Sequence, residues 1–399
     1  MRWYQYILLI FLLFMLQRPA LAFNSGSDGS FGPVDTSFGF TRTIDLPPDG
    51  IIHATTINIA RGSTLKFNRN ALNTPVYLLA TGDIIIDGNI DVSAGAGPGG
   101  GTSIAGGPGG PGGFDGGQPG VTPGAGYGPG AGQGGSIDDL SFTGNAGHRT
   151  PGGINPSDGQ AYGSDLLMPI IGGSGGGAVS GLDTAGNPAV CGGTGGGGAI
   201  VIASDTSITM GNRASISAAA GSRSCPISIT RAAGLGSAGA IRLVAPVISG
   251  TNVIFSVNAS VNNAVKGKGR VRIDAIDRKQ LIVDTANSGP VIFGTFMQVF
   301  PPIIPHLDIV DVAGQPIAVG TATPVDVTLP FNALPTQTVT VQATDFTGIV
   351  PIRVVFTPDS GVPVIVDGQI DMSTGNPAST TLTVDLPQNV LMRVNAWTL

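Results

Sequence analysis

A strand-forming phrase recurs along the chain, and glycine tracts with little apolar surface of their own separate the copies. The first full copy occupies residues 76–94, the second 199–218, and a looser third 241–257. Each divides into short runs of alternating apolar and polar residues with Asp, Asn, Gly or Ser at the corners, the pattern of half-buried strands joined by tight turns. A unit this small cannot bury its apolar side alone. It gains stability only when copies stack and share an interior, which is the logic of a β-solenoid. Residues 43–46, 56–59 and 64–67 alternate in the same way. Residues 44–94 therefore read as two or more successive coils, and 267–276 as a final partial one.

The glycine tracts admit two readings. Residues 95–135 are dominated by glycine, with Pro98, Pro108, Pro111, Pro119, Pro123 and Pro129 among them, and further runs lie at 172–177 and 192–198. The second of these leads straight into a strand. No strict three-residue period spans the region, so collagen is excluded. Glycine loses much backbone entropy on ordering and leaves few side chains to offset it. The expectation is a flexible or loosely ordered insert, over about 95–198, extruded from one corner of the solenoid. The alternative is a packed array of extended polyglycine-type strands whose backbones approach closely.

The amino terminus has the form of a secretory signal peptide over residues 1–22. Arg2 supplies the positive region, residues 7–16 the apolar one, and Ala20-Leu21-Ala22 the small-residue cleavage site. The apolar run is too short to span a bilayer. The expectation is therefore a secreted or cell-surface protein with no stable membrane insertion after cleavage. In such a compartment the two cysteines, Cys191 and Cys225, form a disulfide candidate. Net charge is −6, which leaves no basic footprint for nucleic acid.

Residues 23–42 read as an irregular N-terminal segment, 43–280 as the solenoid with its insert, and 281–305 as a linker ending in Pro301-Pro-Ile-Ile-Pro305. The remaining residues, 306–399, carry strand runs at 307–312, 325–329, 338–343, 352–356, 362–366, 380–385 and 390–396. Runs at this spacing without helical period predict a small antiparallel immunoglobulin-like β-sandwich. Pro363 cannot donate to a ladder, which places its strand at an edge.

Sites of chemistry are sparse. Asp83, Asp87 and Asp91 are expected at different corners of a coil, and Asp87-Gly-Asn-Ile-Asp91 reads as turn capping rather than a calcium loop. Glutamate appears nowhere, so a glycosidase-type acid pair would have to be two aspartates. Arg242, Lys266, Lys268, Arg270 and Arg272 read as a solvated edge or last-coil cap. His53, His148 and His306 lack a partner pattern and read as solvent-facing or packing residues. No catalytic, cofactor-binding or metal-binding residue is assigned, and no cofactor is expected.

The glycine run Gly195-Gly-Gly-Gly followed by Ala199-Ile-Val-Ile-Ala203, the phrase Gly239-Ala-Ile-Arg-Leu-Val-Ala245, and the coil-closing Ser93-Ala-Gly95 resemble secreted bacterial right-handed parallel β-helix proteins. A C-terminal sandwich is similar to the usual arrangement in that group. The resemblance implies an all-β exported protein and carries over no catalytic residues. The expected role is structural or adhesive, contacting polysaccharide or neighbouring cell-surface proteins through a solenoid face, with the sandwich as spacer, partner-binding module or cap over the last open coil. Self-association into a sheath or fibre is a further expectation. The alternative is a carbohydrate-active enzyme, a polysaccharide lyase or hydrolase of the β-helix class.

Overall fold

The computed structural model describes residues 23–95, 103–136, 143–182, 185–222, 232–259, 267–301, 303–321, 323, 325–330 and 332–399. The signal-peptide reading at 1–22 and Cys225 fall outside them. Among the described residues the chain is all-β and has no α-helix.

The N-terminal part opens with β1 (Gly32–Asp35), β2 (Thr41–Asp45), β3 (Ile51–Ile59), β4 (Thr64–Asn68), β5 (Val76–Ala80), β6 (Ile84–Ile86) and β7 (Asn89–Asp91). A small sheet of β8 (Ser103–Ile104), β9 (Gly135–Ser136), β10 (Val179–Leu182) and β11 (Pro188–Cys191) interrupts it. The main series resumes with β12 (Ala199–Ser204), β13 (Ser207–Met210), β14 (Ser215–Ser217), β15 (Ala240–Ser256), β16 (Arg270–Asp277), β17 (Leu281–Val283) and β18 (Val291–Gly294). The segment expected to be irregular thus contributes β1, and the expected linker contributes β17 and β18.

These strands form three parallel ladders. The first runs from the start of β3 through β5, β12, the start of β15 and β16 to β18. The second joins β1, the end of β3, β6, β13, the middle of β15 and β17. The third joins β2, β4, β7, β14 and the end of β15. Register keeps like residues in columns. Ile52, Leu78, Ile202, Leu243, Ile273 and Phe293 stand one above another in the first ladder, and Ile57, Ile84, Ile208 and Ile248 in the second. All but Phe293 are buried in one core shared by the three ladders. The period-two alternation dictates this, because a one-residue slip would turn every Ile column away from the shared core. Leu79 points the other way. It packs with Val201, Val244, Leu167, Ile170 and Val299 in a second core on the outer side of the first ladder. Residues 295–300 help to close that outer core by running back over the ladder from β18 towards β5, where Phe300 stacks on Tyr77.

The glycine-rich insert is not loosely ordered among the described residues. Its segments run side by side, and each donates backbone hydrogen bonds to several neighbours in rotation. Gly193 and Gly196 donate to Gly117 and Phe114, while Thr194 and Gly197 donate to Gly234 and Ser237. Gly173 and Gly176 donate in turn to Gly197 and Thr194. A partner that changes with a period of three marks extended left-handed segments of the polyproline II type, which have no internal bonds and turn their N–H and C=O groups outward. Glycine is required by closeness. A Cβ on Gly175 would lie 1.8 Å from the Asp115 carbonyl oxygen, and one on Gly193 1.8 Å from that of Gly176.

The C-terminal part has β19 (His306–Val312), β20 (Gln315–Pro316), β21 (Thr336–Thr344), β22 (Ile349–Pro358), β23 (Val364–Asp371), β24 (Ala378–Asp385) and β25 (Met392–Thr398). They form antiparallel sheets in the orders β20-β19-β21-β24 and β23-β22-β25, sharing a core of Val339, Val341, Ile352, Val354, Phe356 and Ile370. β23 follows Pro363 and is an edge strand, as expected. Residues 325–329 form no strand.

Candidate functional surfaces

The outer side of the third ladder is a flat polar face. Two neighbouring columns run across it: Thr41, Thr64, Asn89 and Ser215, ending in Ile254, and beside them Thr43, Lys66, Asp91, Ser217 and Ser256. Apart from Arg42 at the first rung, the inward-facing residues of the same strands are Ile, Leu and Phe, so alternation sets these side chains outward. They bond along the columns. Ser215 donates to Asn89 at 2.6 Å, Lys66 pairs with Asp91 at 3.1 Å, and Ser93 and Ser217 share a bond of 2.7 Å. The result is a row of hydroxyls, amides and charges held by the backbone at rung spacing, about 4.8 Å.

The aspartates separate as their spacing suggested. Asp83 lies before β6, where Thr206 and Ser207 donate to it at 2.6 and 2.8 Å. Those bonds hold its carboxyl below the usual range. Asp91 lies on the polar face. No group of three or more His, Cys or Asp side chains able to hold a metal is present among the described residues.

The arginine cluster corrects a sequence expectation. Arg242 is wholly buried, Arg270 nearly so, and Arg272 is largely covered, instead of forming a solvated edge. In-register pairing of β15 with β16 sets Arg242 beside Arg272 and Val244 beside Asp274 on the outer side of the first ladder. There Arg242 donates to Asp274 at 3.1 and 3.2 Å and to the carbonyls of Phe296 and Gln298 at 3.0 and 2.8 Å. Arg272 grips the same carboxylate through two bonds of 2.8 Å. Burial pulls Arg242 below the ordinary guanidinium value, and Asp274 opposes it. The cluster anchors the 295–300 cover. Lys266 lies outside the described residues.

The three histidines lie apart. His148 is buried, stacked on Tyr162 at 4.8 Å, with Nδ1 2.8 Å from the Ala238 carbonyl. Burial, reinforced by the Arg270 charge, pushes it down to about 3. Tyr162 donates to the Gly172 carbonyl and accepts from Ser174, and burial raises its phenol far above the ordinary value. These residues pin the glycine segments to the ladder. Cys191 is buried beside Val179 and Ala233 and is not a free thiol.

A further network ties the C-terminal sheets to the glycine block. Arg393 lies over the Tyr127 ring at 4.5 Å and pairs with Asp115 at 3.2 Å, and Asp115 also pairs with Arg69. Ser360 donates to the Thr122 carbonyl. The sandwich therefore sits against the glycine block.

At the last rung an apolar cavity of about 450 Å³ opens to solvent, lined in part by Lys268, Leu281, Val283, Pro290, Val291 and Phe293. No described helix is long and apolar enough to cross a membrane. The chain matches no protein-family profile, no curated protein and no solved structure.

Proposed function

We propose that this chain is an exported structural or adhesive protein built on a right-handed parallel β-helix, with a glycine block and an immunoglobulin-like module docked at its side. Three parallel ladders sharing one core support the coiled reading, and the strong preference of parallel crossovers for one hand supports its handedness. The observation that carries the functional reading is the polar face of the third ladder. It offers aligned donors and acceptors on a support that cannot rearrange, which suits an extended polysaccharide with repeating hydroxyls. Cys191 pairs with Cys225 in this reading, closing the base of the loop between them.

Binding of the purified protein to a polysaccharide panel tests the proposal. A triple variant, Asn89→Ala, Asp91→Ala and Ser217→Ala, is expected to weaken binding by about tenfold or more, roughly 1.4 kcal/mol, with circular dichroism showing the fold retained. Cleavage of a polysaccharide in the same assay, abolished by one Asp→Asn change, would assign the chain to the enzymes instead. Binding that survives the triple variant would move the site off this face.

A further inference from the structure

The two ends of the strand stack are unfinished, and in complementary ways. At the last rung, among the described residues, β17 pairs only with β15 and β18 only with β16, so both present an open parallel edge. Phe293 belongs to the inward column of Ile52, Leu78, Ile202, Leu243 and Ile273, yet it is 48% exposed because no further rung covers it. Leu281, Val283 and Val291 pack against the shared core but are only partly buried, and they line the 450 Å³ cavity. Repeat proteins ordinarily close such an end with a polar capping unit. Here the chain turns away. Residues 295–300 run back over the first ladder, and the sandwich docks on the glycine block rather than over the last coil.

The first rung has the opposite character. Among the described residues β1 pairs only with β3 and β2 only with β4, and the corner between them exposes Phe38 and Phe40 at 74% and 71%. Register relates the two ends. Thr41 stands in the column of Thr64, Asn89, Ser215 and Ile254, so Phe40 falls one residue earlier, in the column of Val253. Val253 pairs with Val283, which lines the cavity. A first rung laid in register on a last rung would therefore set Phe40 over Val283. Charge agrees with this arrangement. Asp35, Asp45 and Asp49 are exposed near the first rung with Arg42 between them, and the last coil carries Lys268, Arg278 and Lys279 against Asp277 and Asp284.

We infer that the occupant of the last-rung cavity is a second copy of this chain, stacked head to tail so that the Phe38–Phe40 corner plugs the open coil and the parallel ladders continue across the junction. Such a contact uses different surfaces on the two copies and does not close on itself, so it produces a linear filament. Free strand edges provide the backbone bonds of the junction. The inference rests on the stack and does not depend on polysaccharide binding.

Sedimentation velocity and negative-stain microscopy of the purified chain test it. The expected result is a ladder of species that lengthens with concentration into unbranched rods. Two variants separate the ends: Phe38→Ser with Phe40→Asp at the head, and Val283→Lys with Phe293→Asp at the tail. Circular dichroism and melting establish that each remains folded. Each variant alone should stay monomeric, and an equimolar mixture should form a dimer and nothing longer, because one intact head meets one intact tail. A wild-type monomer up to about 1 mM overturns the inference, as does continued assembly of either variant or failure of the mixture to pair.

Discussion

Arg242 and His148 show how much the surroundings of a single residue decide. Arg242 shares Asp274 with Arg272 under the 295–300 cover, and taking away one member of a buried pair strands the other. Arg242→Ala is expected to cost about 3–5 kcal/mol in denaturant melts. Replacing the whole buried set, Arg242→Met and Arg272→Met together with Asp274→Leu, should recover most of that loss, because no charge is left without its partner. His148 titrates near 3 when folded and near 6.5 in an unfolded chain. Between those values the unfolded state binds a proton that the folded state refuses. Stability from this residue is therefore complete above about pH 6.5 and falls as the pH drops towards 3, by up to about 1.4 kcal/mol per pH unit. Melting temperatures measured from pH 7 to pH 4 should decline more steeply for the wild type than for His148→Gln. Neither behaviour was legible in the sequence. The cover over Arg242 and the glycine segments around His148 are brought there by contacts between residues far apart in the chain.

At the scale of elements, the strand columns were legible and the glycine block was not. Period-two alternation at 76–94, 199–218 and 241–257 marked the strands that carry the Ile columns, because a half-buried strand imposes that pattern on its side chains. Glycine segments pack through main-chain atoms and leave no apolar pattern to read. Their signal is the local triplet Gly-Gly-x, as in Gly106-Gly-Pro108-Gly-Gly-Pro111 and Gly192-Gly-Thr194-Gly-Gly196. Glycine fills the crowded positions of each turn, and the third admits Ser174 or Thr194. Gly193→Ala would drive a methyl into the Gly176 carbonyl, and a loss of about 1–3 kcal/mol or more is expected. Hydrogen exchange should localise that loss to amides such as Gly107 and Gly117, with β5 and β12 little affected.

At the scale of the whole molecule, the chain combines a side-chain interior in the ladders and sandwich with a main-chain interior in the glycine block. Arg393→Ala with Ser360→Gly removes the Asp115 pair, the Tyr127 contact and the Thr122 bond. Small-angle scattering should then report a larger radius of gyration as the sandwich loosens from the glycine block. The glycine block carries a thermal consequence as well. Melting it uncovers mainly peptide groups, and hydrating polar surface lowers heat capacity where hydrating apolar surface raises it. Averaged over the chain, calorimetry should give a heat-capacity increment per residue below the ordinary value of about 12–15 cal/mol/K. A shallow stability curve follows, so this part of the protein keeps its structure in the cold, where hydrophobic cores weaken.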